Sequence, residues 1–270
     1  MKLTRPEPER TGTMLGAIAG DVIGSAYEHS RMKTMNIPLF QTHSRFTDDT
    51  VMTVAVADAI LRSTDYAESM KSFGRRYPNA GYGRDFMKWL FSPESRPYNS
   101  WGNGSAMRVS PIGFAFPTVE AVLAESRKSA EVSHNHPEGI KGAQAAALAV
   151  FLARKGKSKE DIRKEIEERF DYNLKRTIEN IRPAYRFDVS CQGSVPEAIL
   201  SFLDSEDYED AIRKAISLGG DSDTIACIAG GISQAFYKVI PREIVGEVRK
   251  RLPPEFLEII DRFDRKYTDT

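Results

Sequence analysis

The chain has 270 residues, 41% hydrophobic and 28% charged, which is ordinary for a globular fold and long enough for one continuous core. Its 38 basic and 38 acidic residues cancel, so no global field draws it to nucleic acid or to an anionic membrane. No apolar run reaches the roughly 20 residues of a membrane span, and the two cysteines, Cys191 and Cys227, have neither disulfide-framework nor metal-ligand spacing, which predicts a cytoplasmic setting.

Segment 1–10 is polar and contains proline. The apolar stretch 14–24 is not a signal core, because Asp21 interrupts it and no small-residue cleavage pattern follows. Thr13 is placed to cap a helix running to about Glu28. Gly12, Gly16, Gly20 and Gly24 recur every fourth residue as one stripe of that helix. Each interior glycine costs roughly 1 kcal/mol relative to alanine, so the stripe predicts close approach of another backbone or of a ligand. Asp21 and Glu28, two turns apart, are expected to point the same way, with Glu28 at the helix end.

Thr47 or Asp48 caps a second helix to about Arg62, whose run 51–57 has no polar face. Turn residues and periodicity predict further helices at 65–76, 84–91, 118–131, 137–155, 158–170, 194–203, 207–218, 221–238, 241–251 and 254–266. Pro241 suits a first helical turn, and Pro253 and Pro254 separate the last two helices. Segment 160–180 is charge-dense and reads as a solvated outer helix pair, while 30–46, 92–117 and 181–194 are not assigned to an element. Alternating strands, internal repeats and linkers are absent. The prediction is an all-α fold, one domain over 1–270 with its core at about 12–250.

Two acidic motifs open the two most apolar helices: Thr47-Asp48-Asp49-Thr50 and Asp221-Ser222-Asp223-Thr224. One acid suffices to cap a helix and complement its dipole, and each of these helices carries two. Four carboxylates brought together repel unless a cation neutralises them. An all-oxygen set with adjoining hydroxyls suits magnesium or manganese better than zinc. Trp101-Gly102-Asn103-Gly104-Ser105 runs through Ala106 and Met107 to Arg108, and reads either as a phosphate-cradling loop or as a tight turn. Gly81-Tyr82-Gly83-Arg84 has the same two readings. Ser133-His134-Asn135-His136-Pro137 offers either ligand contact from a histidine or a helix cap, with no third ligand for zinc. No nucleophile elbow, Walker loop or dinucleotide fingerprint is present.

In this order the motifs closely resemble those of the ADP-ribosylglycohydrolase family, which includes the dinitrogenase reductase-activating glycohydrolases. The matching pieces are Gly16-Ala17-Ile18-Ala19-Gly20-Asp21 with Gly24 and Glu28, Phe46-Thr47-Asp48-Asp49-Thr50, Gly81-Tyr82-Gly83, the run from Gly102 to Arg108, Ser133-His134, and Gly219-Gly220-Asp221-Ser222-Asp223-Thr224. They span about 12–237, and their specificity lies in the set.

The resemblance implies an orthogonal helical bundle around two magnesium ions, with manganese a possible substitute. Thr47, Asp48, Asp49, Asp221, Asp223 and Thr224 would be the ligands, and Glu28 would sit beside the scissile bond. Gly81, Tyr82, Gly83, Gly102, Asn103, Gly104, Ser105 and His134 would hold ADP-ribose; no motif gives the adenine-stacking residue, for which Tyr98, Trp101 and Phe187 are the candidates on loops. The implied activity is hydrolysis of an ADP-ribosyl linkage to a protein or small-molecule acceptor. Arginine is the first expectation, and serine, polymer or small-molecule linkages are the alternatives. Glu28 is the first choice of general base and Asp48 or Asp49 the second. A non-catalytic ADP-ribose-binding relative is the competing class, although every metal-binding position of the pattern is present. A helical metal-dependent phosphohydrolase is a third, disfavoured by the scarcity of histidine.

Overall fold

The computed structural model describes residues 12–268; the polar segment 1–10 lies outside them. Fourteen α-helices and one short 3-10 turn make up the described residues, and the one β-bridge among them joins Gly102 to Ser190. The helices are α1 (Leu15–Gly24), α2 (Asp48–Arg62), α3 (Tyr66–Arg76), α4 (Arg84–Phe91), α5 (Ser110–Ala115), α6 (Val119–Glu131) and α7 (Pro137–Arg154). They continue as α8 (Lys159–Phe170), α9 (Ile178–Ile181), α10 (Cys191–Leu203), α11 (Tyr208–Ser217), α12 (Ser222–Tyr237), α13 (Arg242–Arg249) and α14 (Pro254–Tyr267). One hydrophobic core runs through them, from Met14 to Phe263. None of the described helices is long and apolar enough to cross a membrane.

The glycine stripe has a backbone for its partner. A Cβ on Gly16 would stand 2.6 Å from the Gly230 carbonyl oxygen, one on Gly24 would stand 2.5 Å from that of Ser222, and one on Gly20 would overlap that of Ala226. Successive contacts thus step four residues forward on α1 and four residues back on α12, an antiparallel pair at backbone contact distance. Both helices are buried almost throughout. The register brings the C-terminal end of α1 to the start of α12. Helix α7 packs on α5, α6, α8, α10 and α12, and α2 packs on α1, α3, α5 and α14.

Several sequence expectations are corrected by this packing. Helix α1 ends at Gly24, so Glu28 lies in the following turn segment and its relation to Asp21 is not that of a helical face. Thr13 does not cap α1: its N–H and hydroxyl donate to Asp264 Oδ1 of α14, at 2.6 and 2.7 Å. The Gly16 amide is instead taken by Gln234 Oε1 of α12, at 2.5 Å. Segment 160–180 is not a helix pair. Helix α8 buries Ile162, Ile166 and Phe170, and α9 is a single turn. The unassigned stretch 92–117 contains α5. Helix α10 starts at Cys191 rather than 194, because Ser190 caps it by accepting from the Gly193 amide, and Pro196 sits inside it.

Gly20→Ala should destabilise the fold by about 3 kcal/mol or prevent folding, since two backbones would have to part. Gly246, in α13 with open space around its missing side chain, is the control. Gly246→Ala should be neutral or stabilising by up to about 1 kcal/mol. Urea denaturation of both variants checks the pair.

Candidate active site

The two acidic motifs, far apart in sequence, meet at one end of the α1–α12 pair. Carboxylate oxygens of Glu28, Asp221 and Asp223 lie within 4.8 Å of one another, and so do those of Asp21, Asp49 and Asp223. Asp223 belongs to both groups. Glu28, Asp49, Asp221 and Asp223 form the floor of a cleft of about 530 Å³, walled by the glycine-bearing loops and by His134, and Asp21 does not border it.

Asp21 is the residue the sequence reading undervalued. It is fully buried, and both its oxygens are engaged with the start of α2. Oδ2 accepts from the Thr47 and Thr50 amides at 2.9 and 3.1 Å and from the Thr50 hydroxyl, and Oδ1 accepts from the Thr47 hydroxyl at 2.6 Å. The α2 N-terminus keeps its own cap, Thr47 Oγ1 accepting from the Asp49 amide at 3.3 Å, and is capped a second time across a helix pair. The available signal was an acid interrupting an apolar glycine-striped helix.

The remaining acids are poorly compensated. Asp49 Oδ2 accepts from the Thr224 hydroxyl at 3.3 Å and lies 3.3 Å from the Thr47 hydroxyl, whose one proton goes to Asp21 at the shorter distance, while Asp49 Oδ1 is buried without a hydrogen-bond partner. Asp221 Oδ2 accepts from Asn103 Nδ2 at 2.7 Å, and Asp223 Oδ1 from the Thr224 amide at 3.0 Å. No lysine or arginine forms an ion pair with Asp48, Asp49, Asp221 or Asp223 among the described residues. Burial therefore pushes every one of them up, with repulsion from neighbouring acids adding to it for Asp48, Asp49 and Asp223. Asp48 rises to about 8, Asp49 and Asp223 rise well above the usual carboxylate range, and Asp221 is also raised. Glu28, with its side chain one-third exposed, is raised by partial burial and then by Asp221. Converging acids and hydroxyls around a buried, partnerless carboxylate oxygen are a donor set that could hold a metal ion.

The loops divide. Gly81 has φ +113°, which only glycine adopts comfortably, and a Cβ there would stand 3.2 Å from Asp48 Oδ1. Gly81, Gly83, Gly102, Asn103 and Gly104 border the cleft, as do Thr47, Thr224 and His134. The Tyr82 side chain does not border it: it is buried and stacked on Phe86 at 5.6 Å. Nor does that of Ser105, whose hydroxyl donates to the Gly139 carbonyl at 2.7 Å inside the protein. Tyr98 and Trp101 reach the cleft wall, whereas Phe187 is outside it and half exposed. Arg84, the last residue of the Gly81-Tyr82-Gly83-Arg84 motif, also lines it, as does Arg45, which was not singled out from sequence. The 97–105 loop is held by the Tyr98 amide on Ser133 O, the Asn103 amide on Val189 O and the Cys191 amide on Trp101 O, at 3.2, 2.8 and 3.0 Å.

The ADP-ribosylglycohydrolase family profile matches residues 6–269. Human ADP-ribosylhydrolase ARH3 is 30% identical, over 84% of this chain and 84% of that protein. The ADP-ribosylarginine hydrolase Tri1 of Pseudomonas putida is 25% identical, over 92% of this chain and 72% of its own length. A solved structure described as an ADP-ribosylglycohydrolase-related protein complex superposes with a TM-score of 0.72 at 22% identity, covering 95% of this chain and 97% of the other. The fold is all-helical, and the family profile and relatives put the chain among the glycohydrolases. The chain belongs to the ADP-ribosylglycohydrolase family.

The acids also set a pH dependence for the cation-free protein. Asp48 holds its proton to about 8 in the folded state, against an ordinary value of 3.8, so the native state binds more protons than the unfolded state across that window. Stability in chelator should therefore fall as pH rises from about 5 to 8. Added magnesium should reverse the fall by replacing the protons. Urea midpoints with and without the ion test this, and a midpoint in chelator that rises over the range would show these acids already ionised.

Proposed function

We propose that the chain is a magnesium-dependent hydrolase that cleaves the glycosidic bond between ADP-ribose and an acceptor. The observation that carries this reading is the partnerless Asp49 Oδ1 among converging acids at the floor of an open cleft. A cleft of about 530 Å³ is of the size that takes small-molecule ligands. Two overlapping carboxylate groups sharing Asp223 suit two ions, held by Thr47, Asp48, Asp49, Asp221, Asp223 and Thr224, and manganese would serve in place of magnesium. Bound magnesium would supply Lewis-acid charge and a template for the ribose hydroxyls.

The residues of the chain supply the rest. Hydrolysis exchanges the bond from the anomeric carbon to the acceptor for one to a water oxygen, and the acceptor departs with a proton. Positive charge grows on the sugar as the bond breaks, and an acidic floor stabilises it. Glu28 is the first candidate to take the water's proton, because it is partly exposed in the cleft and burial raises its proton affinity. Asp48 and Asp49 are the second. The backbone around Gly81, Gly83, Gly102, Asn103 and Gly104 would line the diphosphate path, and Tyr98 or Trp101 would cover adenine. For Tyr82 and Ser105 the buried side chains leave only their backbone to serve a ligand.

Arginine is the first acceptor to test, since the Tri1 relative is named for ADP-ribosylarginine. One feature favours an O-linked acceptor instead. Arg45 lines the cleft close enough to Glu28 to lower its proton affinity, so a guanidinium leaving group at Glu28 would meet a like charge. A hydroxyl would not.

Asp223→Ala should leave a folded protein that has lost magnesium affinity and at least about a hundredfold of its turnover. Release of free ADP-ribose from arginine-, serine- and polymer-linked substrates, with and without chelator, measures it; magnesium-dependent turnover retained in the variant would refute the assignment. Glu28→Gln should lower kcat by roughly 10²–10⁴-fold while ADP-ribose affinity changes little. ADP-ribose should raise the melting temperature in magnesium and not in chelator.

A further inference from the structure

Arg108 is the largest fully buried side chain of the protein, and no carboxylate pairs with it among the described residues. Its Nη2 donates to the Ser129 carbonyl at 2.6 Å and to Ser133 Oγ at 3.1 Å. Ser133 Oγ in turn lies 2.8 Å from His134 Nδ1. A guanidinium has donors only, so Ser133 must accept from Arg108, and its single proton is left for the imidazole. The opposite assignment, Nδ1–H donating to the hydroxyl, would converge two donors on one oxygen and strand the serine proton in the interior.

We infer that Arg108 and Ser133 act as positioning residues that hold His134 as a neutral imidazole with its proton on Nε2, turned as a hydrogen-bond donor towards the mouth at Gly102 and Gly104, where it selects an anionic oxygen of the ligand. Only the identity of that oxygen, a phosphate oxygen of ADP-ribose, rests on the function proposed above. A Cβ on Gly104 would stand 3.1 Å from Nε2 and one on Gly102 3.6 Å, so both glycines leave that nitrogen open to the cleft it borders. The ring is packed by Tyr98 and Phe86, with centroids at 5.7 and 6.3 Å. Burial first, and the Arg108 charge second, hold the imidazole's proton affinity well below its ordinary value. A second proton on Nδ1 is thereby disfavoured, and the donor stays a donor without becoming a cation.

The test is ring ¹⁵N NMR on ligand-free protein labelled at its four histidines, with His134→Gln to assign the signal. Wild type should show the Nε2–H tautomer, still neutral at about pH 5.5, below the ordinary histidine value. Ser133→Ala should mix the tautomers and raise the ADP-ribose dissociation constant about tenfold, the loss of one aligned hydrogen bond. Ser133→Thr, which keeps the hydroxyl, should restore both. A wild-type Nδ1–H tautomer or an imidazolium at neutral pH would overturn the inference, as would a Ser133→Ala protein unchanged in tautomer. If ADP-ribose fails to bind wild type, the functional reading falls, and the ligand-free spectra still decide the relay.

Discussion

Everything at the cleft depends on two backbones touching. Gly16, Gly20 and Gly24 let α1 lie against the carbonyls of Gly230, Ala226 and Ser222, and the four-residue step on each helix leaves one axial register. A side chain at any of the three would push the helices apart. The register is what brings Asp21 on α1 and Glu28 just beyond it to Asp221 and Asp223 at the start of α12. The roughly 1 kcal/mol that each interior glycine forfeits in helix propensity is offset by close packing along a fully buried interface. It also fixes geometry, which propensity alone would not supply.

That geometry is reinforced by capping from a distance. Gln234 of α12 takes an amide at the start of α1, and Asp21 of α1 takes the amides and hydroxyls at the start of α2. Three helices are tied in sequence, α12 to α1 to α2, each bond joining one helix body to the next helix's open end. An amide left bare at such a depth would cost about 1–3 kcal/mol, so sliding any one helix breaks several bonds together. Asp21 differs from its acidic neighbours in this respect. Its oxygens are saturated by protein donors, whereas those of Asp49 and Asp223 face the cleft with too few. Saturation moderates its rise in proton affinity to about 6, despite complete burial.

The acid motifs and the helical class were legible because both are local: hydroxyl–acid pairs before apolar runs, and 3.6-residue periodicity. The glycine stripe was legible as a demand for close approach, but its partner α12 was not, since nothing in 12–24 specifies which backbone arrives. The end of α1 was misplaced for a related reason. Residues 25–28 keep the helical pattern, and nothing in them marks Gly24 as the point where the chain meets the start of α12, with Ser222 O 2.5 Å from where a Cβ would stand. Helix α5 escaped because Pro111 and Gly113 punctuate its six residues, and the first turn of α10 because its residues are small or polar; both pack on α7, through Gly113 and Cys191. Tyr82 and Ser105 share motifs with cleft-lining glycines, yet alternate neighbours in a tight loop face opposite ways. Sequence adjacency therefore does not tell which of them meets a ligand.

The cleft has two electrical halves. Its floor gathers carboxylates that repel until cations or protons intervene. Its mouth gathers the Arg84 side chain and His134, backed by the buried Arg108. A ligand with an anionic portion and a hydroxyl-rich sugar would satisfy both, phosphates at the mouth and sugar over the floor. Reversing it would set phosphates against the acids at a cost of several kcal/mol wherever water is excluded. Under the proposed function this polarity, more than the shape of the walls, chooses which end of ADP-ribose presents its bond to Glu28. The acceptor then lies on the far side of the floor, beside Arg45, where a single cationic side chain bears on the choice between a guanidinium and a hydroxyl leaving group.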